Sequence, residues 1–523
     1  MARYPWGYHK AQGARRRYGI QAPNMSHLLI RADASPATGT GHVMRCLALA
    51  QACLQAGGRA TLLTTRPAGW LKQRMAAEGL SVIAQASEPG STDDARATVN
   101  AAREAGASWV VADGYFTAAE YQHLIKSGGL RLLVLDDYQH SADYPADIVL
   151  NQNPGSEELQ YPHRPETKLL LGTRFALLRR EFWGWRRRQP LRDREARRLL
   201  VTLGGSDPGR VAARVLQAAE AIEGLGLCLD VVCGPESDSE LTDAAQRSRH
   251  TVRVLRTVDD MAALMSETDA AVSAGGSTVW ELAFMGVPFV VLASAENQRS
   301  NAGWLVRHGG ALYGGWHAEA TAEALTAPIR ALLQDSSLRA ALAARGKELV
   351  DGEGVERVLM HLQGRRLRLR CAAEGDSRTI WSWANDPETR AHSFSTEPIP
   401  WEKHTTWYAA LMADESRRLL IAMDEDDNSV GQLRLDRKGS TALLSFSISP
   451  AFRGRGFASA LLEVGAAYAF GNLQLSAVNA YVKPDNVRSR RAFEKAGYRY
   501  RGEEVLGENR AMHYFVGREE VAR

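Results

Sequence analysis

The sequence has few cysteines and no long apolar run. Its 523 residues include five cysteines, with no CxxC pair and no cluster of cysteine with histidine. This excludes a disulfide framework and indicates neither structural zinc nor any other metal. Free thiols in a reducing compartment, the cytoplasm, are expected. No apolar stretch approaches the roughly 18 residues that a membrane span needs, so we expect no membrane partner.

The sequence also has little excess of either charge. Sixty-four lysines and arginines face 60 acidic residues, a net charge of +4 that does not indicate a nucleic-acid partner at this length. Five basic residues and no acidic one lie within residues 1–24, without the apolar core of a signal peptide. We predict that residues 1–25 form a disordered basic extension. A basic arm that binds nucleic acid is the alternative.

The chain does contain a regular alternation of apolar strands and amphipathic helices, which starts at residue 27. This alternation is typical of parallel sheets covered on both faces. It predicts two doubly wound α/β lobes, residues 26–185 and 186–362, with a ligand cleft between them. A polar, arginine-rich stretch at 185–198 is predicted as a helical connector. The pattern then changes to paired strands, which predicts a third, α+β domain over residues 366–521.

A glycine-rich turn follows the first predicted strand. Gly39 and Gly41 allow the backbone to approach a ligand, and His42 falls at the start of the next helix. In open parallel sheets, ligands bind beyond the carboxyl ends of strands, where this turn lies. A neutral imidazole there can accept a proton from water, and we expect Asp33 to orient it. A histidine that only caps the helix is the alternative.

A second glycine-rich turn, SAGGSTVWE, joins a strand to a helix in the second lobe. The backbone N–H groups of Gly276, Ser277 and Thr278 are suited to phosphate oxygens. The Glu281 carboxylate can accept hydrogen bonds from both ribose hydroxyls. No Walker lysine follows, which argues against a P-loop. A Glu281 that only interacts with the helix dipole is the alternative.

A third glycine-rich turn lies between a strand and a helix of the third domain. Successive N–H groups in such a turn can bind a pyrophosphate, and arginines add charge. The turn consists of Arg453, Gly454, Arg455, Gly456, Phe457 and Ala458. About thirty residues later, Asn486 and Ser489 begin a helix that ends at a glycine cap before the last strands.

Residues 27–360 resemble the UDP-sugar hydrolase of pseudaminic acid biosynthesis, a family related to GT-B glycosyltransferases. The segments that carry the resemblance, in order, are RADASPATGTGHVMRCLALA, VADGY, LDDY, LNQNPG, LLGTRFALLRREF, VTLGGSDP and SAGGSTVWELAFMGVPFVVLASAENQ. The resemblance implies that water attacks the anomeric carbon of UDP-2,4-diacetamido-2,4,6-trideoxy-β-L-altropyranose with inversion and releases UDP. His42 would be the general base. It further implies a UDP site of Gly276, Ser277, Thr278, Glu281 and Gln298, and sugar contacts from Asp33, Asp113, Tyr115 and Asn153.

Residues 366–521 resemble the GNAT acetyltransferases through the third turn and the Asn486 segment. The resemblance implies that acetyl-CoA is the co-substrate and that an amine attacks its thioester directly. Two strands that separate near residues 447–449 would offer backbone N–H groups to the thioester oxygen. Phe493 stands where many members have a tyrosine acid, so no acid for the leaving thiolate is assigned. The acceptor side is expected at residues 385–408.

Taken together, these features predict a GT-B-like pair of lobes followed by a GNAT domain in one bifunctional enzyme. The GNAT domain would acetylate the 4-amino group of UDP-4-amino-4,6-dideoxy-N-acetyl-β-L-altrosamine, and the product would be the hydrolase substrate. Fusion of consecutive steps raises the local concentration of the intermediate. A UDP-sugar glycosyltransferase fused to a protein N-terminal acetyltransferase and a catalytically silent nucleotide-sugar-binding protein are the alternatives. The oligomeric state stays open.

Overall fold

The computed structural model describes residues 27–34, 39–186, 195–204, 207, 209–234, 239–256, 258–507 and 509–518. The predicted extension at 1–25 and most of the predicted connector lie outside these residues. The C-terminal end of the connector differs from the prediction, whereas residues 185–186 lie in a 3-10 turn. Residues 195–197 are not helical, and Arg198 already begins a strand because the apolar residues after it pair on both sides in a sheet.

A seven-stranded parallel sheet forms the first lobe. Its strands are β1 (His27–Ala32), β2 (Arg59–Thr65), β3 (Ser81–Gln85), β4 (Ala107–Asp113), β5 (Arg131–Leu135), β6 (Ile148–Asn151) and β7 (Lys168–Leu171). Its helices are α1 (Gly41–Gln55), α2 (Gly69–Ala77), α3 (Thr92–Ala105), α4 (Ala119–Ser127) and α5 (Arg180–Trp183), with 3-10 turns at Ser156–Glu158, Thr173–Phe175 and Gly184–Arg186. The strand order is β3-β2-β1-β4-β5-β6-β7, so it reverses between β1 and β4. Such a switch point opens a crevice at the carboxyl ends of the two strands.

The second lobe repeats this arrangement with six parallel strands. They are β8 (Arg198–Thr202), β9 (Cys228–Val232), β10 (Thr251–Leu255), β11 (Ala270–Ala274), β12 (Phe289–Ala293) and β13 (Leu312–Trp316). The helices are α6 (Val211–Glu220), α7 (Ser239–Arg247), α8 (Met261–Glu267), α9 (Thr278–Phe284), α10 (Glu296–Arg307), α11 (Ala322–Gln334), α12 (Ser336–Leu349) and α13 (Gly354–Leu362). The order β10-β9-β8-β11-β12-β13 places the switch point between β8 and β11.

Helix α13 corrects the predicted boundary of the second lobe at residue 362. Its residues Val355, Val358 and Leu362 are buried in the core of the first lobe, where α13 packs against α1. The indole nitrogen of Trp109, on β4, also donates to the carbonyl of Leu362 at 2.9 Å. After the second lobe, the chain returns to the first lobe. It does so because the apolar residues of α13 are buried beside α1, on the same face of the first sheet. Sequence order alone could not indicate this.

The third domain is a mixed seven-stranded sheet in the order β14-β15-β16-β17-β18-β20-β19. Its strands are β14 (Arg368–Cys371), β15 (Arg417–Met423), β16 (Ser429–Lys438), β17 (Thr441–Ile448), β18 (Ala477–Val482), β19 (Arg499–Leu506) and β20 (Asn509–Gly517). Its helices are α14 (Ser377–Ala384), α15 (Pro387–Ala391), α16 (Trp401–Ala413), α17 (Phe457–Gly471) and α18 (Val487–Lys495), with 3-10 turns at Glu374–Asp376 and Pro450–Phe452. The predicted fold class, two parallel-sheet lobes and a GNAT-like domain, is confirmed.

The turn between β15 and β16 fastens the third domain to the first lobe. The carboxylate of Asp427 accepts hydrogen bonds from Arg357 of α13 at 2.9 Å and from Arg368 of β14 at 2.5 Å. Arg174 of the first lobe lies 2.9 Å from the same carboxylate. Burial tends to raise the pKa of Asp427, but the arginines outweigh it and hold the pKa below its usual range.

Among the described residues, no helix has the length and apolar character to cross a membrane.

Candidate active sites

His42 and Asp113 meet at the switch point of the first lobe. His42 lies in the first turn of α1, and Asp113 is the last residue of β4. The Nδ1 atom of His42 lies 2.7 Å from Oδ1 of Asp113, and both side chains are buried. A carboxylate at Nδ1 selects the tautomer whose proton is on Nδ1. The lone pair then falls on Nε2, which has no hydrogen-bond partner within the described part of the chain.

Arg45 adds a positive charge directly behind this pair. Its guanidinium donates to both oxygens of Asp113, at 2.6 and 2.7 Å, and to Asp137 at 2.7 Å. Burial by itself raises the pKa of Asp113. Arg45 and then His42 outweigh burial, so the pKa of Asp113 lies well below its usual range. Asp113 is therefore a carboxylate, fixed as an acceptor for the His42 ring.

The prediction that Asp33 orients His42 is wrong. Oδ1 of Asp33 accepts hydrogen bonds from the backbone N–H of Thr65 at 2.6 Å and from the Thr64 hydroxyl at 3.0 Å, and its other oxygen pairs with Arg31. These partners lie on β1 and β2, so Asp33 holds the end of the sheet together. The orienting carboxylate comes from β4 because β4, and not β2, lies across the switch point.

The glycine-rich turn of the second lobe faces His42 across the cleft. A β-carbon added to Gly41 would lie 3.8 Å from the Ser277 hydroxyl. Gln298, in the first turn of α10, lies beside the glycine pair, because a β-carbon on Gly276 would be 3.6 Å from its side-chain nitrogen. The turn Gly276–Thr278 precedes and begins α9, so its N–H groups lie at a helix start on the cleft side of the second lobe. The structure thus brings the two predicted turns together.

Glu281, which is predicted to bind the ribose, is almost fully buried. It is 8% exposed, and its Oε1 accepts two hydrogen bonds from Arg179, at 2.8 and 3.0 Å. Burial raises the pKa of Glu281 and outweighs the opposing effect of Arg179. Arg179 directly precedes α5 of the first lobe, and it was not predicted. Oε2 of Glu281 forms no hydrogen bond with any residue that the structure describes, so one carboxylate oxygen is left for a ligand.

Two hydrogen bonds connect the lobes at the predicted sugar side. The Asn297 amide donates to the Tyr115 hydroxyl at 2.6 Å, and the Asn301 amide donates to the Asn153 side-chain oxygen at 3.1 Å. Tyr115 and Asn153 in turn donate to Asp137, at 3.2 and 2.9 Å. Of the predicted sugar contacts, Asp113, Tyr115 and Asn153 come together here, whereas Asp33 lies with β2.

Besides Arg179, sequence reasoning missed Arg45, Asp137, Asn297 and Asn301. One signal was available for Arg45, which is three residues after His42 and so on the same face of α1. Asp137 is the second residue after the apolar strand β5, at the same sheet edge as Asp113. No pattern in the sequence connects Asn297 or Asn301 with the first lobe, since their partners are more than 140 residues away.

The third glycine-rich turn has the geometry of an anion cradle. Gly454 and Gly456 have φ values of +77° and +79°, a region that favours glycine, and Gly456 is the residue before α17. The first arginine is not free: Arg453 donates to Asp386 at 2.5 Å and to Glu388 at 3.0 Å. These acids lie at the start of α15, so Arg453 fixes the predicted acceptor segment against the turn.

The other GNAT expectations concern Asn486, the strand pair and the leaving thiolate. The Asn486 side chain caps α18 by accepting from the Ser489 N–H at 3.0 Å. Parallel pairing of β17 with β18 ends at Leu443 and Asn479, so residues 444–448 diverge from β18. Phe493 is buried, stacked on Tyr514 at a ring distance of 5.2 Å, and offers no acid.

A cavity and a buried histidine lie apart from these residues. A cavity of about 1010 Å³ lies between the first lobe and the third domain, lined among others by Trp183, Met360 and Tyr468, and none of the predicted site residues lines it. Among the described residues, no group of three or more histidine, cysteine, aspartate or glutamate side chains is arranged to hold a metal ion. His404 is packed between aromatic rings, and Nε2 contacts the Ser377 carbonyl at 2.9 Å.

Two domain families match this chain. Residues 199–353 match the glycosyltransferase family 28 C-terminal domain, and residues 366–499 match the acetyltransferase (GNAT) domain. The first match contains the SAGGSTVWE turn, and the second contains the Arg453–Ala458 turn. The second and third glycine-rich turns, which were predicted to lie in separate domains, thus fall within the matched regions.

Full-length and partial relatives support the same division. An uncharacterized protein of Methanocaldococcus jannaschii is 22% identical over 493 residues, 90% of this chain and 96% of that protein. The spore coat polysaccharide biosynthesis protein SpsG of Bacillus subtilis is 30% identical over 222 residues, 42% of this chain and 65% of that protein. The UDP-2,4-diacetamido-2,4,6-trideoxy-β-L-altropyranose hydrolase of Campylobacter jejuni is 23% identical over 295 residues, 54% of this chain and 97% of that protein.

The resemblance to the UDP-sugar hydrolase and to the GNAT acetyltransferases is confirmed. The chain combines a two-lobed domain of the nucleotide-sugar glycosyltransferase and hydrolase type with a GNAT acetyltransferase domain. Both parts resemble families of enzymes, and the GNAT domain supports the use of acetyl-CoA.

Proposed function

We propose that the protein catalyses two consecutive steps on one nucleotide sugar. The GNAT domain acetylates the 4-amino group of UDP-4-amino-4,6-dideoxy-N-acetyl-β-L-altrosamine. The two-lobed domain then hydrolyses UDP-2,4-diacetamido-2,4,6-trideoxy-β-L-altropyranose to the free sugar and UDP, as in pseudaminic acid biosynthesis. The observation that carries the hydrolytic half is the bond between His42 and Asp113, opposite the Ser277 turn.

In the hydrolytic step, His42 acts as the general base. Its Nδ1 proton is held by Asp113, so Nε2 accepts a proton from a water molecule in the cleft. The water oxygen attacks the anomeric carbon from the face opposite UDP, the bond to the diphosphate oxygen breaks, and the configuration inverts. The ionised Asp113 stabilises the imidazolium that forms.

The second lobe holds the leaving group in this proposal. The N–H groups of Gly276, Ser277 and Thr278 bind the diphosphate at the start of α9, and Oε2 of Glu281 binds the ribose. Gln298 closes the site beside Gly276. The sugar lies among Asp113, Tyr115 and Asn153, next to Asp137. The bonds from Asn297 and Asn301 to the first lobe hold the two halves of the site at this spacing.

In the acetylation step, acetyl-CoA supplies the acetyl group. The turn from Arg453 to Ala458, with its two glycines in the left-handed region, would hold the pyrophosphate. The diverging strands β17 and β18 would leave backbone N–H groups of β17 before Ser449 for the thioester oxygen, whereas the Ser449 N–H itself donates to the Val430 carbonyl at 2.8 Å. The substrate amine attacks the carbonyl carbon and the bond to sulfur breaks. The thiolate leaves readily without an acid because a thiol pKa of about 8.5 makes its protonation dispensable.

The proposal is tested by mass spectrometry of the products formed from the UDP-amino sugar and acetyl-CoA. We expect the UDP-diacetamido sugar first and then the free diacetamido sugar with UDP, in the absence of any sugar acceptor. Acetylation with no UDP release would contradict the hydrolytic half. UDP release that requires an added acceptor would indicate a glycosyltransferase instead. Tight binding of both ligands with no turnover would indicate a nucleotide-sugar-binding protein.

A further inference from the structure

Arg366 lies against the third glycine-rich turn, although it stands 89 residues before Arg455 in the sequence. Its Nη1 atom donates a hydrogen bond of 3.2 Å to the Arg455 carbonyl. Its guanidinium carbon lies 4.7 Å from the centre of the ring of Phe457, the first residue of α17. A β-carbon added to Gly456 would lie 3.6 Å from the same Nη1 atom. These contacts place a further cation on the turn that is proposed to hold the pyrophosphate.

The backbone on both sides of Arg366 fixes its position. On one side, the Arg365 N–H donates to the Met360 carbonyl at 2.9 Å, which ties the chain to the end of α13 in the core of the first lobe. On the other side, Leu367 is 1% exposed, in the core that includes α17. Arg366 therefore reaches the turn from the connection between the lobes and the third domain, outside the segment that contains the two glycines.

Most of the hydrogen-bonding capacity of Arg366 is unused. A guanidinium has five N–H groups, and the Arg455 carbonyl is the one acceptor that Arg366 contacts within the part of the chain that the structure describes. Glu425 interacts with Arg366 electrostatically, but this carboxylate is already paired with Lys168 at 2.5 Å. Arg453, the first arginine of the turn, is by contrast held by two acids on α15 and before it. Arg366 thus offers the turn a charge that Arg453 shares with protein carboxylates.

We propose that Arg366 binds a pyrophosphate oxygen of acetyl-CoA, together with the backbone N–H groups of the third turn. This inference rests on the proposed acetyl transfer. Hydrogen bonds between a guanidinium and a phosphate are charge-assisted and about twice as strong as neutral ones. A guanidinium that packs on the Phe457 ring can still donate, because its N–H groups lie in its own plane. The pyrophosphate site then includes a side chain that is distant from the turn in sequence and is positioned by α13.

The test measures the binding of CoA to the full-length protein by calorimetry, so it needs no sugar acceptor. Arg366→Met keeps a flexible apolar side chain against Phe457 and removes the charge. We expect CoA to bind about 10-fold more weakly, the effect of losing one hydrogen bond to a charged group. KM for acetyl-CoA should rise by a similar factor. At saturating acetyl-CoA, kcat should stay near that of the unchanged protein, which shows that the domain is folded.

The dependence of binding on salt separates a phosphate contact from a purely structural role. Salt screens the attraction between an exposed guanidinium and a phosphate, so CoA affinity should fall less steeply with salt in Arg366→Met than in the unchanged protein. If Arg366 only held the Arg455 carbonyl, the salt dependence would be the same in both proteins. Arg366→Lys keeps the charge and should retain part of the lost affinity.

Arg501→Met is the matched control. Arg501 is also exposed, and its guanidinium carbon lies 3.6 Å from the centre of the Phe515 ring, but it belongs to the edge strand β19 and not to the turn. This substitution removes the same charge from a phenylalanine ring of the same domain. It should leave both the affinity for CoA and its salt dependence unchanged.

Dephospho-CoA distinguishes the two phosphate-bearing parts of the cofactor. It lacks the phosphate on the ribose and keeps the pyrophosphate, so Arg366→Met should weaken its binding by the same factor as that of CoA. An effect confined to CoA would assign Arg366 to the ribose phosphate and overturn the pyrophosphate contact.

Two other results would overturn the inference: unchanged CoA affinity in Arg366→Met, or a weaker affinity with the salt dependence of the unchanged protein. Each of them leaves the proposed acetyl transfer intact, because the unchanged protein still binds CoA. If the unchanged protein bound neither CoA nor acetyl-CoA, the proposed acetyl transfer would fail, and the inference would fail with it.

Discussion

The side-chain amide of Asn301 donates a hydrogen bond of 3.1 Å to the side-chain oxygen of Asn153, and this bond joins the two lobes beside the proposed sugar site. Asn153 in turn donates to Asp137, which accepts from Arg45. Since Arg45 also holds Asp113, a continuous hydrogen-bonded path connects the UDP lobe with the proposed base. The order along the path is Asn301, Asn153, Asp137, Arg45, Asp113 and His42.

Replacement of His42 tests base catalysis. His42→Ala should lower the turnover of the UDP-sugar by about 10²- to 10⁴-fold, the usual range for removal of a general base. Affinity for the UDP-sugar should stay near that of the unchanged protein, because UDP is held by the other lobe. Steady-state kinetics and calorimetry measure the two quantities.

His42→Asn is the matched variant. Asparagine suits a helix start but accepts no proton at neutral pH, so it should be nearly as slow as alanine. The acidic limb of the pH profile for hydrolysis should flatten in both variants. Near-normal turnover of the asparagine variant would reduce His42 to a capping residue.

Replacement of Arg45 tests the charge behind the base. The folded-state pKa of Asp113 lies below its unfolded value of about 3.9. The ionised carboxylate therefore stabilises the native state above about pH 4, and this stabilisation is lost as the pH falls through the folded pKa. In Arg45→Met, burial is no longer opposed by the guanidinium, and only His42 and the Cys46 thiol still contact the carboxylate, so the pKa of Asp113 should rise. Removing one partner of a buried ion pair costs about 3–5 kcal/mol.

The measurement for Arg45→Met is urea unfolding between pH 4 and pH 8, together with hydrolysis kinetics. Both stability and turnover should fall. Arg96→Met is the control, because Arg96 is 70% exposed and its ion pair with Asp93 is a surface pair worth about 0–1 kcal/mol. An Arg45→Met protein as stable as the Arg96→Met control would show that the Asp113 carboxylate does not depend on Arg45.

Replacement of Glu281 tests the UDP site. Glu281→Gln should weaken UDP binding by about 1.5–3 kcal/mol, the range for a hydrogen bond to a charged group. It should also lower the Tm, because Arg179 is buried and loses one of its two carboxylate partners, keeping only Glu181. Acetyl-CoA affinity should not change. Glu296→Gln is the control, since Glu296 lies in the first turn of α10 and its side chain is 82% exposed. Unchanged UDP affinity in calorimetry would remove Glu281 from the site.

Replacement of Gly456 tests the independence of the two activities. Gly456→Val should abolish acetyl transfer, because a branched side chain at φ +79° strains the turn and obstructs the pyrophosphate. UDP release from a pre-acetylated substrate should persist. Gly439→Val imposes similar strain at φ +61° in a hairpin turn, and it should retain acetyl transfer. Loss of both activities in Gly456→Val would indicate that the domains are not independent.

Several elements of the fold could be predicted because they depend on short stretches of sequence. The helix predicted to start at His42 is observed at Gly41–Gln55, since its apolar period and preceding glycines are local signals. Strand alternation likewise predicted the two parallel sheets. The glycine-rich turns of the two lobes were correctly predicted to follow strands. They lie at the edge of each sheet where the carboxyl ends of its parallel strands meet.

The sequence by itself determined the helices and strands, the glycine-rich turns and the residue His42 at a helix start. Only the tertiary structure decided which charges surround that histidine. Asp113 replaces Asp33 as its partner because the strand order, β2-β1-β4, brings the end of β4 beside α1. Helix α13 joins the first lobe, and Asn301 meets Asn153, for the same physical reason. Packing brings together residues far apart in the chain, and no local pattern carries that information.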